Sequence, residues 1–300
     1  MKLFDCTLYY DEDLILETRL NILDKYFDKF IICEAKYTHS GREKKLNFNI
    51  NKFPEFKDKI IYLVDDREPE GIIYENNDGK KIENPKNWRA NAVKRIAKQR
   101  NKLLESINKL ADENDFIFYS DNDEIPNMEE FNKTKENSNI IIFEQKLFYY
   151  KFNLFYDKIF WYGTRAVKKK NLIDFEWLRQ IKPKKYRFFR LDTLFKKNKY
   201  INLKIIKNGG WHFTRVLTPE EIHVKELDAE HHDEYRASNK NPNKIRDLIK
   251  KRMIDHDHFA DTKQSKYGKE FKLKIFNFED LPEYIKNNKE KYQDYLDLDY

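Results

Sequence analysis

A chain of 300 residues with 40% hydrophobic and 15% aromatic content can bury a large core, which excludes a disordered chain despite 37% charged residues. The net charge of +7 is dispersed, and its nearest approach to a basic block is KPKKYR at 182–187, so no nucleic-acid partner is expected. Cys6 and Cys33 lie in apolar runs and read as buried thiols; with no membrane-length run and no signal-peptide core, a soluble cytoplasmic protein without a transmembrane segment is expected.

In chain order, "LFDCTLYY" (3–10) reads as a strand. "DLILETRLNILDKYF" (13–27) is apolar at Leu14, Leu16, Leu20, Leu23 and Phe27, the spacing of a helix. "KFIICEA" (29–35) and "KIIYLVDD" (59–66) are short apolar runs suited to buried parallel strands. A long helix is predicted over about 87–111, followed by the strand "DFIFYS". This alternation predicts an α/β protein with an open, mostly parallel central sheet flanked by helices. In such sheets ligands bind beyond the carboxyl ends of the strands, where Glu34, Asp65, Asp66 and the Asp121–Glu124 cluster fall. The second half is richer in strands, at 139–155 and 201–213. From Thr218 it turns helical: Thr218, Pro219 and Glu221 form a capping box with proline at the first helical position. Further helices are predicted at 241–254 and 281–296, giving a core over 1–217 and a C-terminal helical extension over 218–300.

The long helix carries an anomaly. With Trp88 at zero and roughly 100° per residue, Ala92, Ile96, Leu103, Ile107 and Leu110 share one apolar arc. Most charges, Arg95 among them, fall opposite, but Arg89 and Arg100 land inside the arc. Either these side chains snorkel past the core or their guanidiniums meet carboxylates or phosphates near the strand ends, a task suited to a planar fork.

"DFIFYSDNDEIPN" (115–127) places Asp121, Asp123 and Glu124 directly after a buried strand. An acidic turn is the plain reading. A calcium loop of EF-hand type fails, because Pro126 stands where a glycine is needed and Asn132 where a glutamate is. A phosphatase-like nucleophile belongs on an early strand. A hard divalent cation, Mn²⁺ or Mg²⁺, shared between carboxylates and a diphosphate fits best. D-x-D at a strand end is the usual device of GT-A nucleotide-sugar glycosyltransferases, one aspartate reaching the ribose and the next the metal.

The chain resembles family 17 glycosyltransferases. The likeness runs through "YDEDLILETRLNILDKYFDKFIICEAKYTHSGREKKLNF" (10–48), the Trp-Arg opening of a helix that continues to "KQRN" (98–101), and "YSDNDEIPN" (119–127). It continues in "WYGTR" (161–165), "GGWHFTRVLTPEEIHVK" (209–225) and "LPEYIKNNKEKY" (281–292). Animal members include the β-1,4-mannosyl-glycoprotein β-1,4-N-acetylglucosaminyltransferase. The resemblance implies a GT-A-like fold and a metal-dependent, inverting transfer from a nucleotide-diphosphate sugar, UDP-N-acetylglucosamine above all, to a glycan acceptor. It places Glu34 where the nucleotide enters, Asp121 towards the nucleotide and metal, Asp123 on the metal and Glu124 in support. Gly210 and His212 match the family's glycine loop and histidine, with His212 a further metal ligand. Arg89, Arg100 and Arg179 are then expected near the donor, and Trp161 and Trp211 are expected to stack on sugar rings. Glu144 and Glu176 are both candidates for the catalytic base. Unlike the animal members, this sequence shows neither an N-terminal anchor nor secretory cysteines, so a Golgi location is not expected. A non-catalytic nucleotide-sugar or glycan-binding module is the alternative.

Overall fold

A computed structural model describes residues 1–77, 80–133, 138–184, 202–260 and 266–298. Strand β1 (Leu3–Tyr9), helix α1 (Asp13–Leu23), β2 (Lys29–Ala35) and β3 (Ile60–Asp65) form the first parallel unit. A small hairpin of β4 (Glu75–Asn77) and β5 (Lys80–Ile82) leads to α2 (Trp88–Lys102) and α3 (Leu104–Leu110), then to β6 (Phe116–Ser120). Next come β7 (Glu124–Pro126), α4 (Met128–Lys133), the long hairpin β8 (Ile140–Tyr149) and β9 (Leu154–Lys168), and α5 (Phe175–Gln180). Strands β10 (Leu203–Ile206) and β11 (Gly210–Thr214) precede α6 (Pro219–Asp228), α7 (His232–Ala237) and α8 (Pro242–Lys250). The chain closes with β12 (Met253–His256), β13 (Tyr267–Lys272), β14 (Lys274–Ile275), α9 (Glu283–Asn287) and α10 (Lys289–Tyr292).

The central sheet runs β3-β2-β1-β6-β9-β8-β11-β7, with β10 also on β8 and β14 on β9. Its first four strands are parallel, as expected. The sheet as a whole is mixed, because β9 pairs antiparallel with β6, β8 and β14, and β7 antiparallel with β11. The cause is local: residues 150–153 return β8 directly into β9, and a short connection can only join antiparallel strands. Tyr150 in that turn has φ 65°.

Alternation along the strands sorts the core into two layers. Phe116 and Phe118 face Phe27, Phe131 and Phe143 on the side of α1 and α9. Ile117 and Tyr119 face Cys6, Cys33, Leu103, Ile107 and Trp177 on the side of α2, α3 and α5. Both cysteines are free and buried, and burial raises both thiol pKa values. The helix expected over 87–111 is interrupted at Leu103, between α2 and α3. The helix expected over 241–254 stops at Lys250: Arg252 takes a left-handed φ of 55°, and Met253–His256 pairs with β13. The segment after 218 thus contains strands as well as helices, and β14 joins the central sheet. The capping box at Thr218 and Glu221 is formed on both sides. Among the described residues no helix is long and apolar enough to cross a membrane.

Candidate active site

The turn after β6 is held from below by a cation the sequence reading passed over. Arg19 of α1 and Asp5 of β1 are both buried and form a two-pronged pair, Nε–Oδ2 2.7 Å and Nη2–Oδ1 2.6 Å. The remaining nitrogen, Nη1, donates to the carbonyl of Glu124 at 2.7 Å and reaches those of Asp121 and Asn122 at 3.4 Å. One guanidinium therefore ties three backbone carbonyls of the acidic turn to the first strand. A buried charge requires such pairing, and Arg19 interrupts the apolar face between Leu16 and Leu23 in the way that singled out Arg100.

The three carboxylates have separate surroundings. Asp121 accepts from Arg179 Nη2 at 2.7 Å and from the Tyr119 hydroxyl at 3.1 Å. Glu124, fully buried, accepts from Trp161 Nε1 at 2.6 Å, Arg179 Nη2 at 3.1 Å and the Asp121 backbone N–H at 3.0 Å. Asp123 faces His212, with Oδ1 3.4 Å from Nε2. Burial alone would raise the Asp121 pKa, but Arg179 and then Arg100 draw it well below the usual carboxylate range. For Asp123 burial again opposes, and His212 brings the pKa down. Arg179 is thus the hub that lets Asp121 and Glu124 share one turn.

His212 reaches this place through the glycine pair. A Cβ on Gly210 would lie 2.1 Å from the Ile125 carbonyl, and its φ is +128°. Only glycine lets β11 close on β7, which sets His212 opposite Glu124 in the register. Gly210 acts here through the backbone. Trp211 turns to the opposite face and packs against the aromatic core.

Asp121, Asn122, Asp123, Arg179 and His212 line a cleft of about 530 Å³. Leu8, Ala35, His39, Gln99 and Arg100, from the ends of β1 and β2 and from α2, line it too. Tyr149, Trp161, Arg215, His256, His258 and Tyr267 line the same cleft. Asn122 is 6% exposed, and among the described residues neither atom of its amide has a hydrogen-bond partner. His212 Nδ1 is likewise buried and unpartnered.

Several expected residues do not line the cleft. Glu34 is buried under Lys44, the backbone N–H groups of Asn47 and Phe48 (2.8 and 3.1 Å) and the Tyr62 hydroxyl (2.8 Å). Arg89 is half-exposed and pairs with Asp233 and Glu234 of α7. Arg100 does line the cleft, bound to Glu176 at 2.7 Å and the Tyr119 hydroxyl at 3.0 Å. That contact engages Glu176, and Glu144 is held by Tyr162 (2.9 Å) and Lys207. Arg95, placed by the helical wheel on the solvent side, is buried against Glu68 and Glu83, because the segment preceding α2 folds over it. KPKKYR lies partly outside the described residues.

Among the described residues no group of three or more His, Cys, Asp or Glu forms a cage. The Asp123–His212 pair brings one carboxylate oxygen and one imidazole nitrogen to the same place in the cleft.

The pattern of glycosyltransferase family 17 matches residues 1–297. The chain belongs to this family. It is therefore a glycosyltransferase, with a sugar donor and a glycan acceptor as its partners. A search of curated proteins returns no match. Two solved structures resemble it distantly. HddC from Yersinia pseudotuberculosis, complexed with GMP-PN, has a TM-score of 0.32 at 10% identity, covering 69% of this chain and 90% of that one. The inositol-1-phosphate CTP transferase from T. maritima has a TM-score of 0.32 at 8% identity, covering 77% and 96%. At those scores neither carries an argument about this family member.

Proposed function

We propose that this glycosyltransferase takes a nucleotide-diphosphate sugar into the cleft on a GT-A-type scaffold and binds its diphosphate through Mn²⁺ or Mg²⁺ at Asp123 and His212. The observation that carries the reading is that pair, 3.4 Å apart, lining the same cleft as Asp121 and the unpartnered amide of Asn122. When bound, the cation supplies neutralisation of the charge that develops on the leaving nucleotide. The chain's own part is positional and electrostatic. Arg179 and Arg100 keep Asp121 ionised, Arg179 and the Tyr119 hydroxyl hold its carboxylate, Arg19 fixes the turn, and Glu124 locks Trp161 and Arg179 in place. The donor wall at the ends of β1 and β2 suits a nucleoside, and the family resemblance makes UDP-N-acetylglucosamine the donor of choice. An inverting transfer needs a carboxylate within reach of the acceptor hydroxyl. Glu144 and Glu176 lie away from the cleft lining, so the base is sought among carboxylates that line it. A core over 1–217 carries the donor wall, and the segment from 218 adds Lys225, His256 and Tyr267 to the cleft. A cytoplasmic setting agrees with the two free buried thiols.

Calorimetry with UDP-N-acetylglucosamine, run with Mn²⁺ and with excess chelator, tests the reading. Binding should require the metal and weaken at least tenfold in Asp123→Ala. Equal affinity with chelator present would overturn the cation assignment.

A further inference from the structure

From His212 the cleft lining continues as a series of rings. His212 packs on Trp161 with centroids 4.8 Å apart, and Trp161 approaches His258 at 6.4 Å. His258 meets His256 at 4.7 Å, and His256 meets Tyr267 at 5.4 Å. Trp161 cannot rotate freely, because its Nε1 is bonded to buried Glu124. His258 Nε2 shares a hydrogen bond of 2.6 Å with the Tyr149 hydroxyl. Among the described residues His256 Nδ1 is buried and has no partner, although the His256 side chain lines the cleft. Such a wall offers flat apolar faces and neutral hydrogen-bonding edges.

Charge distinguishes this wall from the acidic turn it adjoins. Among the described residues its cations are already matched: Arg215 with Glu226 at 2.6 Å, Lys240 with Asp255, and Lys225 with Glu12. Arg215 is held in a left-handed conformation, φ 58°, and lies over the Tyr149 ring at 5.6 Å. A non-glycine residue in that region is costly unless its surroundings determine it, so this is a built feature. Burial, and then Arg215, lowers the pKa of His258 to about 4 and that of His256 to about 2, leaving both imidazoles uncharged at neutral pH. Among the described residues of this wall, neither a phosphate nor a carboxylate would find a free cation. A pyranose ring would find a stacking face and neutral donors and acceptors for its hydroxyls.

We propose that the wall of Trp161, Tyr149, His256 and His258 is the acceptor subsite, and that it takes an uncharged sugar with its ring against Trp161 and a hydroxyl on His256. The proposal rests on the donor reading for its orientation: Trp161 adjoins His212, so a sugar stacked there lies beside the diphosphate. It also gives the segment after 218 a role in choosing the acceptor, since His256 and His258 come from it.

Saturation-transfer NMR on the full chain with Mn²⁺ and UDP tests it, with methyl glycosides of mannose, glucose, galactose and N-acetylglucosamine as neutral probes and methyl glucuronide as the acidic one. At least one neutral glycoside should receive saturation and the glucuronide should not. His256→Ala should weaken that glycoside at least tenfold, with UDP affinity by calorimetry changing less than twofold. His256→Phe, which keeps ring contacts and removes the nitrogens, should show the same loss and guards against a folding defect. Preference for the glucuronide, no binding by any neutral glycoside, or unchanged affinity in both variants overturns the proposal. Wild-type protein that binds a neutral glycoside but not UDP with Mn²⁺ upholds this wall and removes the donor reading instead.

Discussion

The two walls of the cleft solve opposite problems. The turn at 121–124 concentrates carboxylates, and it is stable because Arg179 and Arg19 hold its side chains and its carbonyls respectively. The ring wall concentrates imidazoles, and burial keeps those of His256 and His258 uncharged. On the proposed reading one wall takes a cation with an anionic partner and the other a neutral polyol. A transferase that must hold a charged donor against an uncharged acceptor needs both. The contrast can be broken at specific residues.

The largest expected effect is on turnover. Asp123→Ala removes one of the two proposed ligand atoms and leaves the Arg19–Asp5 and Arg179 contacts that hold the turn in place, so the fold should survive while transfer falls on the order of 10³-fold, the several kcal/mol expected of a bridging cation. Near-normal transfer by that variant, measured as nucleotide release with a competent acceptor, would remove the donor wall from the chemistry. Arg19→Met acts next, on stability. It strands Asp5 in the core, and leaving a buried charge unpaired costs about 3–5 kcal/mol, read as a lower denaturation midpoint. The double variant Asp5→Leu/Arg19→Met removes both charges and should recover much of that stability. It should not recover activity, because the carbonyls of Asp121, Asn122 and Glu124 remain without their donor. Recovery of both would show that the clamp serves only the core.

Gly210→Ala is a smaller test of the same geometry. The added Cβ meets the Ile125 carbonyl at 2.1 Å, with φ +128° already unfavourable for a side chain. A cost of about 1–3 kcal/mol is expected. Because β11 must then move from β7, metal-dependent binding of the donor should weaken more than the stability loss alone predicts. A variant that is less stable but binds the donor normally would mean that the glycine serves packing and not the placement of His212.

Much of the donor wall was legible because its signals are local. Alternation and apolar runs gave β1, β2, β3 and β6 to within a residue or two, and a carboxylate cluster after a buried strand is visible without coordinates. The mixed sheet was not legible, since only the pairing of β9 reveals it, and the single strand pattern read over 139–155 spans β8, the turn and the start of β9. Arg19 was legible in principle: it breaks an apolar face as Arg100 does, and Asp5 sits inside a strand. The helical wheel failed for Arg95 because it assumes that solvent lies opposite the core, whereas the segment before α2 covers that side. Glu34 and Arg89 were placed near the donor by resemblance, and their neighbours show them bound within the scaffold. The ring wall had no local signal, because Trp161, His256 and Tyr267 come together only in three dimensions.

The smallest effect is the one that reports on both walls in a single titration. His258 has a folded pKa of about 4 against an ordinary 6.5, so on acidification the unfolded chain binds that proton first. Its contribution to stability is complete above pH 6.5 and is lost as pH falls from 6.5 towards 4. Asp121 is depressed below its ordinary 3.8, so its contribution is complete above about pH 4 and lost only in stronger acid. The denaturation midpoint should therefore fall in two stages, the first set by histidines and the second by carboxylates. Other buried histidines, His39 and His232 among them, share the first stage, so His258→Phe should reduce its slope by about one proton without abolishing it. The second stage should be unchanged in that variant. A slope between pH 6.5 and 4.5 that His258→Phe leaves intact would mean that His258 is already protonated in the folded protein, and the neutral character assigned to the ring wall would fail with it.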